Sequence, residues 1–553
     1  MRGENRGPRG DSAMSSATHV CALLVLAVAL AIAPAAAQAP APVVREGKPG
    51  GVLRPVLRED LPQGFAIHET ATNSVTWPAM PCYSNLVVYD QTKRLGRMET
   101  IVPELAEKWS WQDNYRNLVF FLRRDVKWHD GQPFTSKDVK FTFDVVREAA
   151  DAPAKLRINP RKEWYANVDA IEAPDPYTVV FRLKRPQPSL VAMLASGYSP
   201  VIPAHVPLAE HRSRCIGTGP FKFKEWKRGQ SVELVRNPDY FVKGRPYLDG
   251  VRYTVIVERG TRVAALQAGQ VDVAYPGDTT VAIAEQLRSA VPGMVFTETA
   301  TNVSENLLLN TKRPPFDSIK VRRALSLAID RRAYTKTVHR GAAVIGAAMS
   351  PRPWGLWGLL EKDLNQLPGY GGVGPGRAQA RQLLAEAGFG PSNPLKIDIV
   401  TRAIAIYLDF AGFVVSDLKQ VGVEATLKQI DTAQWHPMVT RREFQMGANL
   451  TGLGVDDPDA NFYENFSCGS PRNYGDYCSE EVGRLIDQQS QELDMQKRIA
   501  LVARIQKKLE EDAARPTMGW RTDRFAHYPY VRNLIPNQVT YNCCRLQEVW
   551  LDK

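Results

Sequence analysis

The chain has 553 residues, three to four times the ~150 of a common single domain, which is enough for two or more lobes and too long for a peptide-sized role. Hydrophobic residues at 44% and charged residues at 23% sit near the globular averages and exclude a disordered or fibrous chain. Lys+Arg 70 against Asp+Glu 59 leaves +11, but the signs are interleaved throughout, so this mild basicity does not form the one-sided stripe that a nucleic-acid partner requires.

At the N-terminus, Arg2, Arg6 and Arg9 precede an unbroken apolar run over 20–33, which ends in Pro34-Ala35-Ala36-Ala37-Gln38. Basic, apolar and small residues in that order predict a secretory signal over 1–37, cleaved after Ala37, and an exported protein beginning at Gln38. The run is shorter than the ~20 residues that span a bilayer, and no later stretch matches it. Cys21 lies at the front of the run and no cysteine follows the cleavage region, so the thiol of a lipid anchor is missing and a free protein is expected.

Residues 51–57 read as a short strand and 117–123 as a buried one. The turn 127–134 then leads into a helix capped by Thr135, with Asp138 at its third position and Val139, Phe143 and Val146 as its stripe. His129 and Asp130 in that turn read as backbone punctuation around Gly131 and Pro133, not as catalytic groups. Strands are predicted over 178–183, 232–236 and 251–258, with Asn237-Pro238-Asp239 as a turn. A buried strand around 307–310 leads into a helix striped by Val321, Ala324, Leu325 and Ala328, with Asp317 or Ser318 as its cap. Helix 377–387, strand 395–400, helix 407–421, strand 424–429 and helix 497–512 follow, so the fold class is α/β. Gly388 and Gly422 stop the first and second of those helices, and Ile499, Val502, Ile505 and Leu509 stripe the last. The glycine-rich stretch 369–376 lacks the Lys-Ser/Thr of a phosphate loop and reads as a flexible loop.

Past the signal stand six cysteines: Cys82, Cys215, Cys468, Cys478, Cys543 and Cys544. An even count in an oxidising compartment permits disulfides, and Cys468 with Cys478 closes a short polar loop. Pairing of the other four stays open, although adjacent Cys543 and Cys544 strain against bonding each other and are each expected to find a distant partner. No CxxC or His spacing suggests zinc, and the eight histidines are scattered singly, His205 and His211 being six apart. HExxH, GxSxG, Walker A and a placed GxGxxG are all missing, so no metal or cofactor is implied. Instead, aromatic residues cluster beside Gly and Pro, among them Tyr83, Trp357 and Trp435, and two or three of these rings are expected to line a cleft for an organic ligand.

Across Pro103–Trp109, Trp128–Phe134, Gly217-Thr218-Gly219-Pro220-Phe221 and Arg236-Asn237-Pro238-Asp239-Tyr240 the sequence resembles the bacterial extracellular solute-binding proteins of family 5, peptide-type receptors of ABC importers. The likeness continues at Leu309-Asn310-Thr311, Pro315-Phe316-Asp317, Val421-Gly422-Val423 and Asp457-Pro458-Asp459. It implies a two-lobed periplasmic-binding-protein fold, type II and cluster C like, with an extra inserted subdomain. Lobe one would be 38–76 plus 213–300 plus 525–553, with 77–212 inserted, and lobe two 301–524. It further implies a monomeric, periplasmic, non-enzymatic receptor that closes about a hinge and delivers its ligand to an inner-membrane permease and its ATPase.

In dipeptide-binding relatives an arginine after a lobe-two strand pairs with the ligand carboxylate, and Arg402 resembles it, a planar guanidinium suiting two oxygens. The aspartate that holds a peptide's ammonium, four residues before the proline of Asp-Pro, is here Gly454, with Asp456 and Asp457 as substitutes. The ligand is therefore expected to be a peptide-like, amide-containing or acidic organic solute, with Trp435, Trp357 and Tyr83 covering its apolar parts. Cys468 and Cys478 match the spacing of the family's lobe-two disulfide. Two rival readings are a secreted hydrolase using Asp456, Asp457 and Asp459, whose carboxylates equally make a self-capping turn, and a receptor for a chelated metal or haem.

Overall fold

A computed structural model describes residues 44–542 and 544–553. The predicted signal, Cys21 and Cys543 lie outside the described residues. The stretch predicted as one strand over 51–57 forms two, Val52–Leu53 and Val56–Leu57, both parallel to Gly250–Val255. Pro55 between them has no N–H for the ladder, and it bridges to Val273 instead. Ser231–Arg236 and Phe221–Lys227 complete this five-stranded sheet. The strand predicted to reach residue 258 ends at Val255, because Glu258 caps the helix Arg259–Gln267, its carboxylate accepting from the Thr261 N–H at 2.6 Å.

A second, antiparallel sheet of four strands runs Ala106–Gln112, Asn117–Leu122, Thr178–Leu183, Val168–Asp175. The helix Ser136–Val146 covers it with the predicted stripe, Phe143 meeting Phe181 at 5.4 Å between ring centres. Thr135 and Asp138 form the expected reciprocal cap. Cys82 and Cys215, which flank this region, are bonded to each other. They therefore leave no partner there for the adjacent pair; Cys544 is itself disulfide-bonded. Cys468 and Cys478 are bonded, as expected.

The third sheet has six strands in the order Ala343–Val344, Thr517–His527, Val295–Leu309, Met446–Gly452, Lys396–Arg402, Glu424–Ile430. Lys396–Arg402 and Glu424–Ile430 are parallel and joined by the helix Ala405–Lys419, a βαβ unit with Gly422 at φ +83° after the helix. The helix Ile319–Ala328 begins after Ser318, although no side-chain bond caps it. The glycine-rich stretch read as a loop instead opens the helix Val373–Glu386. Pro375 sits in the first turn, where a missing N–H costs nothing, and a side chain at Gly376 would meet the Leu327 carbonyl at 2.7 Å.

Two cores result. One packs the five- and four-stranded sheets with Phe525 and Ala526, and the other packs Leu307, Leu309 and Met518 of the six-stranded sheet against its helices. The long strands Val295–Leu309 and Thr517–His527 run from one core to the other, paired from Val295 with His527 to Asn306 with Thr517. Their register breaks between Ala300 and Ser304, midway between the two cores. Val455 and Ala460 pack into the first core although their neighbours Leu453 and Phe462 belong to a further cluster with Trp357 and Trp520. Among the described residues no helix is long and apolar enough to cross a membrane.

Candidate functional site

Where elements of the two cores meet lies a cavity of about 60 Å³. Arg58, Thr72 and Tyr275 line it from one side, and Arg402, Trp435 and His436 from the other. Arg58 and Glu59 directly follow the strand Val56–Leu57, and Arg402 is the last residue of Lys396–Arg402. Asp431 caps the next helix, Thr432–Thr440, by accepting from the Ala433 N–H at 2.8 Å, which presents Thr432, Trp435 and His436 beside Arg402.

Arg402 spends four of its five N–H donors on the protein itself. Its Nε and Nη2 donate to Thr432 Oγ1 at 3.0 and 2.8 Å, and its Nη1 donates to the Tyr407 hydroxyl at 2.9 Å. Nη2 also donates to Glu59 Oε1 at 2.6 Å, a bond between the two cores. Glu59 accepts from the Ser74 hydroxyl as well. Burial pushes the Glu59 carboxyl up, but Arg402 and Arg58 outweigh it and hold the group down to about 2.

Three further arginines line the cavity. Arg58 stacks on Tyr275 at 4.6 Å and stands 3.6 Å from Asp278, whose other oxygen is 2.5 Å from Arg262. Arg521 donates to Asp523 and to the Gly277 carbonyl, both at 2.8 Å. Arg472 lies 2.9 Å from Glu464, which Arg161 approaches at 4.0 Å. His436 is buried, and among the described residues neither of its ring nitrogens has a hydrogen-bond partner. Burial, then the charges of Arg402 and Arg472, hold its imidazole down to about 3, so it is neutral. A second chamber, of about 240 Å³, adjoins the first, sharing Ala71, His436, Arg472 and Tyr474 as a common wall and adding Ile158 and Pro160.

Of the residues singled out from the sequence, Arg402 and Trp435 meet in this wall, and Trp435 does so as part of an apolar cluster with Leu308, Val400 and Phe444. Tyr83 is placed elsewhere: it is buried in the first core, its hydroxyl donating to the Phe65 carbonyl at 3.1 Å and bonded to His211 Nδ1 at 2.9 Å. Trp357 also lies outside the wall, donating from Nε1 to the Asp456 carbonyl at 2.9 Å beneath the guanidinium of Arg498. Burial raises the Asp456 carboxyl to about 6, against the charge of Arg97. Asp457 caps the helix Pro458–Phe466 and takes two bonds from Arg498, at 2.7 and 3.0 Å. Asp459 accepts from Ser189 at 2.6 Å and Ser490 at 2.7 Å. Asp457 and Asp459 are therefore taken up by structural bonds, Asp459 joining the two sides through Ser189, while the Asp456 carboxylate accepts from the Leu356 N–H at 3.4 Å. At Gly454 a side chain would stand 2.4 Å from the Trp164 ring, so the indole fills the place where the resemblance implies an ammonium-binding aspartate.

Sequence reasoning missed Arg58, Glu59, His436, Arg472 and Arg521. A charged triplet, Arg58-Glu59-Asp60, directly after a buried strand and the alternation Arg521-Thr522-Asp523 inside another were the available signals. Among the described residues no group of three or more His, Cys, Asp or Glu is placed to hold a metal ion.

Residues 100–473 match the family described as bacterial extracellular solute-binding proteins, family 5 Middle. A putative ABC transporter peptide-binding protein of Brucella ovis is 30% identical over 389 residues, 67% of either chain. Di/tripeptide-binding protein 2 of Pseudomonas aeruginosa is 27% identical over 82% of this chain and 87% of its own. In three dimensions the chain resembles the periplasmic binding protein DppA of Helicobacter pylori, solved with the peptide STSA, at a TM-score of 0.80 and 23% identity over 92% of this chain and 99% of that one.

Proposed function

The chain belongs to the bacterial extracellular solute-binding proteins of family 5, substrate-binding receptors of ABC importers and not enzymes, and from that premise we propose that it captures a peptide-like or other small organic solute by hinge closure. Lobe one comprises 38–76, 213–300 and 525–553 with 77–212 inserted, and lobe two comprises 301–524. The observation that carries this reading is the divided cavity wall, with Arg58 and Tyr275 on one side and Arg402 and His436 on the other. A guest touching both sides stabilises the closed form, because closure alone satisfies both sets of contacts. The strand pair with its register break at Ala300 and Ser304 is the hinge. The closed form is then the shape that a permease with its ATPase reads. The peptide-binding names of the relatives support a peptide-like guest. The receptor works in the periplasm as a monomer, exported with 1–37 removed and without a lipid anchor.

Hydrogen exchange tests the mechanism. A guest co-purified from the exported protein, identified by native mass spectrometry, should slow exchange of backbone amides on both cavity walls together, around 58–74 and 432–450. It should also be recovered chemically unchanged. Protection of one wall alone, or an altered guest, would overturn the reading. The same spectra should give a monomer beginning at Gln38.

A further inference from the structure

The charges around the cavity do not balance. Arg402 and Arg521 each have a carboxylate of their own, Glu59 and Asp523. The remaining guanidinium groups share: Asp278 serves both Arg58 and Arg262, and Glu464 serves both Arg472 and Arg161. The other carboxylate near Arg521, Glu305, is engaged by His339 at 2.8 Å. Asp278 and Glu464 therefore each face two buried guanidinium groups, and a buried charge is costly unless paired.

Unused donors point the same way. Among the described residues the Nε atoms of Arg58, Arg472 and Arg521 donate to nothing, and the neutral imidazole of His436, with one donor and one acceptor nitrogen, has no partner on either. These four residues are at most 9% exposed, and all of them line the cavity. Buried donors of this kind require acceptors. The wall is as poor in sites for a cation: Asp523 is held by Arg521, Glu59 by Arg402, and Trp164 fills the space at Gly454. A zwitterionic peptide would bring its ammonium into a field of guanidinium groups. Its carboxylate would find Arg402 already paired with Glu59.

Resting on the receptor reading above, we infer that the guest is an organic anion with two negative oxyanion charges, its charged head held by Arg58, Arg472, Arg521 and His436 in the inner chamber. Its neutral remainder occupies the adjoining chamber of about 240 Å³, past the shared wall of His436 and Tyr474. Carboxylates and phosphonates both supply that head.

Calorimetry on the mature protein, stripped of guest by unfolding and refolding, decides the matter with four probes: succinate, phenylphosphonate, dialanine and dialanine amide. At least one dianion should bind more than about tenfold tighter than either peptide, the order expected from charge-assisted bonds. Which dianion leads separates a carboxylate head from a phosphonate head. Its affinity should drop at least about tenfold in Arg472→Gln and in Arg58→Gln, with melting curves confirming that each variant folds. Should a variant fail to fold, the affinity order in the unsubstituted protein still decides. Peptide binding equal to or tighter than dianion binding, no binding of either dianion, or dianion binding indifferent to both substitutions would each overturn the inference. Failure of the receptor reading shows separately: a guest recovered altered, or protection of one wall alone, removes the receptor, whereas tight dialanine binding that protects both walls from exchange keeps the receptor and removes the anion.

Discussion

Replacing Glu59 by Gln removes the charged contact that ties the strand end at Arg402 to the opposite side of the cavity. The carboxyl is held at about 2 instead of its ordinary value near 4.5, which corresponds to about 3 kcal/mol of favourable interaction in the closed arrangement. Arg402 is 3% exposed, so the closed form of Glu59→Gln must bury a guanidinium with no carboxylate beside it, whereas an open form hydrates it. Arg58 and Ser74, on Glu59's own side, hold part of this in an open form too, so the ratio of closed to open protein shifts by at most roughly 150-fold. Small-angle scattering of guest-free samples measures it: Glu59→Gln should have a larger radius of gyration than the parent and faster exchange at amides 432–440. The parent should stay compact from pH 4.5 to 8, since Glu59 remains ionised over that whole window. Equal radii and equal exchange for parent and variant would refute the idea that this pair latches the cleft.

Four further outcomes are expected. Cys82 and Cys215 close a loop of 133 residues, so replacing both by Ser should lower unfolding free energy by about 2–5 kcal/mol in urea titrations, with Cys468–Cys478 left intact; no change would contradict the loop-entropy account. Burial, only partly opposed by the bond to the Pro200 carbonyl, holds His68 down to about 4. The unfolded chain then binds a proton that the folded one refuses, so between pH 6.5 and 4 the parent should lose stability about 1.4 kcal/mol per pH unit more steeply than His68→Gln; parallel profiles would exclude a neutral buried His68. Glu510 runs the other way: burial, against the charge of Arg331, raises it to about 7, so its ionisation penalises the fold as pH rises from 4.5 through 7. Relative to the parent, Glu510→Gln should gain about 3 kcal/mol between pH 4.5 and 8, and a pH-independent difference would sink the assignment. Gly454→Ala places a methyl group 2.4 Å from the Trp164 ring, and overpacking at that join should cost about 1–3 kcal/mol in melting experiments; a neutral substitution would mean that the indole moves freely.

Local physics is written along the chain, and the elements it governs were legible there. The stripe of Val139, Phe143 and Val146 with its Thr135 and Asp138 cap involves residues within three turns of one another, and the helix forms as read. The alternation from 395 to 430 likewise produced its βαβ unit, and the motif series identified the family. Where a local rule met a tertiary neighbour, the neighbour prevailed: Pro55 split a strand, and Gly376 turned an apparent loop into a helix start packed on Leu327.

Aromatic residues beside turns gave a weaker signal, since a ring that fills a core and a ring that lines a cleft have the same sequence signature. Trp435 reached the wall, while Tyr83 and Trp357 became packing elements with satisfied polar atoms. The sequence by itself determined the α/β class, the short loop closed by Cys468 and Cys478, and the arginine at the end of a sheet strand. Only the tertiary structure decided that this arginine meets Glu59, 343 residues away, that Trp164 fills the space at Gly454, and that shared carboxylates leave an excess of buried positive charge. Periodicity reports which side of an element is buried. A charge balance depends on which buried sides face one another, and that is set by how distant segments close together.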